Sequence, residues 1–217
     1  MRGLMAAVEG VFLSKVRGYD RVQPLLNRFR RDVLPPEVAR SAKKLNLGSS
    51  FRPIPTYVNV DVLEERHPDI VCDVRRLTFS GDDEWDLVRA SHVLEHFPPG
   101  EVPEVFSEWT RVLKAGGYLV LCVPYFQAIS WRVILDPSGW NLPAQNGWIN
   151  GLFALDLPPQ FRHQTVFTYE SLSKLLAGCG CKLVGKQHFR VAHPYSLGIE
   201  DDSCTPFSLN VVARKMS

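Results

Sequence analysis

The chain reads as an α/β protein built on a mostly parallel sheet, and three observations carry that reading. An apolar strand, Lys44-Leu45-Asn46-Leu47, runs into the small-residue loop Gly48-Ser49-Ser50, and a second strand, Tyr57-Val58-Asn59-Val60, ends on Asp61. That is the layout of a nucleotide site at the carboxyl ends of parallel strands. From Lys43 to Pro124 strands and connections alternate, as they do where helices cover a parallel sheet. Between Glu101 and Val123 a helix, a glycine turn and a buried strand follow one another.

Taken in order, residues 1–40 read as two helices broken at Gly18-Tyr19-Asp20, with Pro35-Pro36 stopping the second. Leu4, Val8, Phe12 and Val16 recur at helical spacing, which makes the first an amphipathic helix packed onto the domain. Residues 1–42 thus form a helical cap, and 43–217 the main domain. Two further strands end in polar residues, Asp69-Ile70-Val71-Cys72-Asp73 and Asp86 to His92, so that four strand ends offer polar groups to one crevice.

The helix Glu101 to Leu113 follows the breaker Pro98-Pro99-Gly100 and turns Val102, Val105, Phe106, Trp109, Val112 and Leu113 to one face. Lys114-Ala115-Gly116-Gly117 then leads into a strand from Tyr118 to Val123. An insertion at about 125–168 loses all period and carries Trp131, Trp140 and Trp148. It reads either as the wall of a substrate pocket or as a connection that buries itself with aromatics. A helix from Tyr169 to Ala177, capped by Gly178, precedes two strands, Lys182 to Arg190 and Phe207 to Lys215, that can pair as an antiparallel hairpin.

Composition narrows the class. At 217 residues, 45% hydrophobic and 22% charged, the chain has the make-up of an ordinary globular domain. A net charge of +2 argues against a nucleic-acid partner. Arg28, Arg30, Arg31, Arg40, Lys43 and Lys44 read as a solvated helix face. Five cysteines without a C-x-x-C pair suit a reduced, cytoplasmic protein better than a disulfide scaffold. Glu9 and Lys15 interrupt the apolar start, so it reads as no signal segment, and no run is long enough to span a membrane.

Five ordered segments, Leu45-Asn-Leu-Gly-Ser-Ser50, Val58-Asn-Val-Asp61, Asp69-Ile-Val-Cys-Asp73, Ser91-His-Val-Leu-Glu-His96 and Arg111-Val-Leu-Lys-Ala-Gly-Gly-Tyr-Leu119, resemble the motif series of the class I S-adenosylmethionine-dependent methyltransferases. The resemblance implies a Rossmann-like, doubly wound, seven-stranded sheet with an antiparallel last strand, and S-adenosylmethionine as cofactor. It implies that Gly48 and Ser49 let the backbone approach the methionine part and that Asp61 accepts from both ribose hydroxyls. Asp73 and Val74 would meet the adenine, and Ser91 and His92 would line the methyl side. Two departures mark a subgroup with a short first loop. The loop is poorer in glycine than usual, and only about a dozen residues separate Gly48 from Asp61, which leaves little room for a first helix.

Methyl transfer from a sulfonium rests mainly on alignment. A hydroxyl acceptor also needs a base, for which His163 and His92 are the candidates. The expectation is O-methylation of a small-molecule acceptor, a sugar or secondary metabolite, with no resident metal. Two alternatives stand beside it. One is a relative that binds the cofactor without turnover. The other is a zinc hydrolase using His92, Glu95 and His96, since His92-Val-Leu-Glu-His96 fits an H-x-x-E-H pattern, although that pattern needs a continuous helix and meets Pro98-Pro99-Gly100 almost at once.

Overall fold

The computed structural model describes residues 38, 42–51, 53–135, 152–155, 157–187 and 208–217. The expected N-terminal helices, apart from Val38 and Ala42, lie outside the described residues, as do Trp140, Trp148 and Cys204.

Seven strands form one sheet. They are β1 (Lys44–Leu47), β2 (Val58–Asp61), β3 (Ile70–Val71), β4 (Trp85–Ser91), β5 (Leu113–Pro124), β6 (Cys181–Gln187) and β7 (Ser208–Lys215). Their spatial order is β3-β2-β1-β4-β5-β7-β6. The first five run parallel, and β7 lies antiparallel between β5 and β6. This is the Rossmann-like α/β fold with an antiparallel last strand. The strand order reverses between β1 and β4, so their carboxyl ends open a crevice there.

The two faces of the sheet bury different material. Leu45, Leu47, Val60, Val88, Ala90, Leu119 and Leu121 point to the larger core. Helix α1 (Val102–Val112) covers them with Val105, Phe106 and Trp109, as its sequence spacing predicts. Phe106 and Trp109 are fully buried, and burying side chains of this size contributes about 1.5–3 kcal/mol each. Trp109 also ties α1 to the crevice, because its Nε1–H donates to the Val74 carbonyl at 2.9 Å. On the opposite face Leu87, Val120 and Val212 pack with Ile54 and Tyr57 from the β1–β2 connection.

That connection has no helix among its described residues. A polar ladder inside the sheet stands in for one. Arg89 Nη1 donates to Asn46 Oδ1 at 2.8 Å, and Asn46 Nδ2 donates to Asn59 Oδ1 at 3.0 Å. Asn59 then grips the loop, accepting from Ile54 N at 2.8 Å and donating to the carbonyls of Ile54 and Tyr57. Buried amides satisfied on every side hold a backbone firmly.

Element ends follow the sequence with informative exceptions. The expected glycine turn at Lys114–Gly117 is a bulge inside β5, where pairing jumps from Trp85–Leu113 to Leu87–Tyr118. Gly116 sits there at φ +77, and a Cβ on it would meet Arg214 Nη2 at 3.1 Å. Of the expected strand Asp69–Asp73 only Ile70–Val71 pairs, since β3 is an edge strand. Helix α2 (Phe126–Leu135) opens the region read as aperiodic. Helix α3 (Tyr169–Gly178) begins with a capping box in which Thr168 and Ser171 exchange hydrogen bonds. The C-terminal strands pair antiparallel, as expected for the hairpin.

Candidate functional site

The four strand ends meet around a pocket of about 780 Å³, lined among others by Gly48, Asp61, Asp73, Val74, Ser91 and His92. Of the sequence-derived site residues, Ser49 and His163 are not on its wall. Ser49 is buried behind it, with an Oγ that has no partner among the described residues.

Gly48 is required by geometry. Its φ is +64, and a Cβ there would lie 2.4 Å from Val93 Cγ2, closer than real atoms approach. The loop that follows closes onto β2, with Ser49 N donating to the Val60 carbonyl at 3.0 Å and Ser50 N to Asp61 Oδ2 at 2.8 Å. Asp61 is buried and also accepts from Leu63 N at 3.0 Å. Arg66 Nη1 reaches both its oxygens, at 3.4 and 3.3 Å. The Arg66 guanidinium lies over the rings of Phe51, 5.5 Å away, and Phe161, 5.6 Å away.

On the β3 side, Asp73 is gripped by Arg75, whose Nη2 lies 2.6 Å from Oδ2 and whose Nε reaches both oxygens. The hydrogen bonds from Arg75 hold the Asp73 carboxyl below the usual carboxylate range. Val74 follows, its carbonyl fixed by Trp109.

At the end of β4 the chain kinks, with His92 at φ +54. A non-glycine residue in the left-handed region costs on the order of 1 kcal/mol. The kink lays the His92 ring beside three side chains. Nδ1 is 2.9 Å from Glu95 Oε1, and Nε2 is 3.1 Å from Ser208 Oγ and 3.3 Å from Cys122 Sγ. Desolvation disfavours the charged ring, but the contacts with Cys122 and Glu95 outweigh it and raise its pKa well above the ordinary imidazole value. Glu95 is completely buried. Burial pushes its pKa up, and the hydrogen bond and charge of His92 override that and pull it down.

The chemistry of the H-x-x-E-H stretch is therefore not that of a zinc peptidase helix. Only Leu94–His96 is helical, as a single 3₁₀ turn, and His92 stands before it in a left-handed kink and bonds Glu95. His163 reaches the same carboxylate from a distant part of the chain, with Nε2 3.9 Å from Glu95 Oε1. Its Nδ1–H donates to the Leu152 carbonyl at 2.8 Å. Burial of the ring lowers its pKa below the ordinary value, against the pull of Glu95.

Some pocket residues escaped the sequence reading. Arg66 follows Asp61 by five positions with no motif to flag it. Gln164 reaches the wall because 164–165 is stitched to the 3₁₀ turn, and Ser208, beside the pocket rather than on its wall, reaches His92 through the β5–β7 pairing. Neither is near its partner in sequence. Among the described residues Cys72, Cys122, Cys179 and Cys181 form no disulfide. Among the described residues no helix is long and apolar enough to cross a membrane.

A family profile described as a methyltransferase domain matches residues 15–121, a span that includes Gly48, Asp61, Asp73 and His92. No curated protein matches the chain. Among solved structures, an S-adenosylmethionine-dependent methyltransferase from Mesorhizobium loti is 17% identical, with 94% of this chain and 100% of that one covered and a TM-score of 0.54. The 1,6-didemethyltoxoflavin-N1-methyltransferase of Burkholderia thailandensis, solved with 1,6-didemethyltoxoflavin and S-adenosylhomocysteine, is 16% identical over 100% of this chain and 90% of its own, with a TM-score of 0.51. The magnesium protoporphyrin IX methyltransferase of Synechocystis PCC 6803, with bound S-adenosylhomocysteine, is 13% identical over 90% of this chain and 80% of its own, with a TM-score of 0.53. At these identities the structures speak for the fold, and the family match adds the chemistry. The chain belongs to the class I S-adenosylmethionine-dependent methyltransferases, and S-adenosylmethionine is its cofactor.

Proposed function

We propose that the chain methylates a hydroxyl of a small molecule, a sugar or a secondary metabolite, with the cofactor lying between Asp61 and His92. The observation that carries the reading is the pocket itself. Its wall unites the ends of β1, β2 and β4 and the segment after β3, and continues through Leu157 and Gln164 from the inserted region. A volume of about 780 Å³ falls within the roughly 300–1,000 Å³ of small-molecule sites. The neighbours from Burkholderia and Synechocystis, named for 1,6-didemethyltoxoflavin and magnesium protoporphyrin IX, also support a small-molecule acceptor.

The residues fit the cofactor. Gly48 keeps side-chain bulk out of the loop, so that its backbone is open to the methionine part, with Ser49 behind it. Asp61 is an acceptor with room for two ribose hydroxyls once Arg66 withdraws, because only two of its roughly four lone-pair sites take backbone donors. Asp73 and Val74 face the adenine, with Val74 donating through its backbone N–H. Ser91 and His92 border the methyl side.

When bound, the cofactor supplies a methyl group on an already activated sulfonium. The chain then has to align the acceptor, exclude water and receive a proton. Of the two candidate proton acceptors, His92 lines the pocket and is oriented by Glu95, and because its pKa is raised it serves as base only on the alkaline side, where the ring is neutral. Its Nε2 would exchange the Ser208 hydroxyl for that of the acceptor.

The test is methyl transfer from methyl-labelled S-adenosylmethionine to a panel of sugars and phenols, with release of S-adenosylhomocysteine measured in parallel. Label in a hydroxylated acceptor, with turnover falling about 10²–10⁴-fold in His92→Gln, is the expected result. Label found only on amines, carbon or macromolecules would refute the acceptor class, and undiminished turnover in the variant would remove His92 as the base.

A further inference from the structure

Beside the cofactor pocket, one buried carboxylate has imidazoles gathered around it. Glu95 Oε1 is taken by His92, yet Oε2 has no hydrogen-bond partner among the described residues although the residue is completely buried. His96 Nδ1 is likewise buried and unpartnered. Buried polar atoms are normally paired, and a bare carboxylate oxygen is among the costliest to leave alone. His163 completes the group. Its Nδ1–H is committed to the Leu152 carbonyl, so a neutral ring presents the Nε2 lone pair, 3.9 Å from Glu95 Oε1. That separation is too long for a hydrogen bond. The His96 and His163 rings stand edge to face with centroids 4.9 Å apart.

We propose that Glu95, His96 and His163 bind a divalent transition-metal ion of the zinc class on the wall of the methyl-transfer pocket. One ligand atom from each lies within 4.8 Å of the others. Metal bonds of about 2.0–2.2 Å set tetrahedral ligands about 3.3–3.6 Å apart, so the three draw in by roughly 1 Å. Two imidazoles and one carboxylate suit zinc or ferrous iron and disfavour magnesium and calcium, which prefer all-oxygen shells. The bond from His163 Nδ1 to a backbone carbonyl is the kind of outer support that fixes a metal-binding histidine.

The backbone holds both halves of the site together. Gln164 N and Thr165 N donate to the Glu95 carbonyl at 2.7 and 3.1 Å, and Gln164 Nε2 to the His96 carbonyl at 2.7 Å. Thr165 Oγ1 bonds the Phe97 carbonyl at 2.6 Å. His96 and Gln164 also line the cofactor pocket, which puts the ion at its edge. The arrangement differs from an H-x-x-E-H zinc helix, because Glu95 is a ligand and the distant His163 replaces His92.

The experiment needs no cofactor and no acceptor, so it fails or succeeds independently of the methyl-transfer reading. The full chain, stripped with a chelator, is titrated with Zn²⁺ by calorimetry and melted with and without it, beside His96→Gln, His163→Gln and the double variant. One equivalent bound, a rise in melting temperature, and a loss of affinity of at least about tenfold in each single variant are expected. No saturable one-to-one binding, or unchanged affinity in the double variant, would overturn the proposal. Should the variants not fold, the Co²⁺-loaded wild-type protein decides. A tetrahedral nitrogen and oxygen spectrum supports the site, and a thiolate charge-transfer band, which would put the ion on cysteine, refutes it.

Discussion

Replacing Asp61 tests the core of the cofactor reading most directly. The carboxylate holds two backbone donors, Ser50 N at 2.8 Å and Leu63 N at 3.0 Å, and keeps Arg66 Nη1 at the longer distances of 3.3 and 3.4 Å. On the proposed reading the ribose hydroxyls take the positions that Arg66 fills loosely. Hydrogen bonds to a charged group contribute about 1.5–3 kcal/mol, so losing them in Asp61→Ala weakens affinity about 10- to 150-fold. Asp61→Asn keeps one acceptor oxygen and the shape of the side chain, and should fall toward the low end. Arg66→Gln should leave affinity equal or improved, because it removes the competing donor. Calorimetric titration with S-adenosylmethionine and S-adenosylhomocysteine reads all three, with thermal melting as a check on folding. A folded Asp61→Ala protein that binds within twofold of wild type would refute a role for Asp61 in holding the ribose, and a loss in Arg66→Gln would refute the competition.

Gly48→Ala should destabilise the protein by about 1–3 kcal/mol in urea unfolding, since φ is +64 and the new Cβ meets Val93 Cγ2 at 2.4 Å. Adding Val93→Ala should recover only part of that loss, as the backbone strain remains. Tyr57 sets an alkaline limit. Burial, opposed by the charge of Arg89, pushes its pKa up to about 12, above the value of about 10 in an unfolded chain. The stability it contributes is therefore whole below pH 10 and is lost as pH rises toward 12, by about 2–3 kcal/mol. Tyr57→Phe removes a hydroxyl that is buried without a partner among the described residues, and should flatten that loss in unfolding curves taken between pH 9 and 12; an unchanged slope would assign the limit to another group. Asn59→Ala should cost about 2–4 kcal/mol, because the amide satisfies groups in two strands and a loop at once.

What could be read from the sequence was whatever its local pattern fixes. Gly48, Asp61, Asp73 and His92 each close an apolar run, and parallel strands bring their carboxyl ends to one side without any help from distant residues. The face of α1 was legible for the same reason, since Val105, Phe106 and Trp109 obey the helical period. Register was not legible. The bulge at Lys114–Gly117 depends on what β4 offers opposite it, and no local signal separates a bulge from a turn. The surroundings of Glu95 were half legible. Its bond to His92 spans three residues, whereas His163 and Ser208 arrive through pairings that only the folded chain creates.

The short first loop changes how the site is held. In place of a helix between β1 and β2, the chain uses Asn59 to clamp Ile54 and Tyr57, and Asp61 to clamp Ser50. The N–H groups of Ser49 and Ser50 are spent in closing the loop onto β2, so they are not available as donors to a ligand. Gly48 contributes space to the crevice, and the charge there comes from Asp61. A carboxylate that already fixes the loop also fixes the height of the crevice floor, and its position depends little on whether a ligand is bound. On the proposed reading, in which the ribose docks on Asp61, Arg66, stacked against Phe51 and Phe161, is the element that has to move. The cost of cofactor entry proposed there falls on one long, exchangeable ion pair, while the loop backbone keeps its hydrogen bonds to β2.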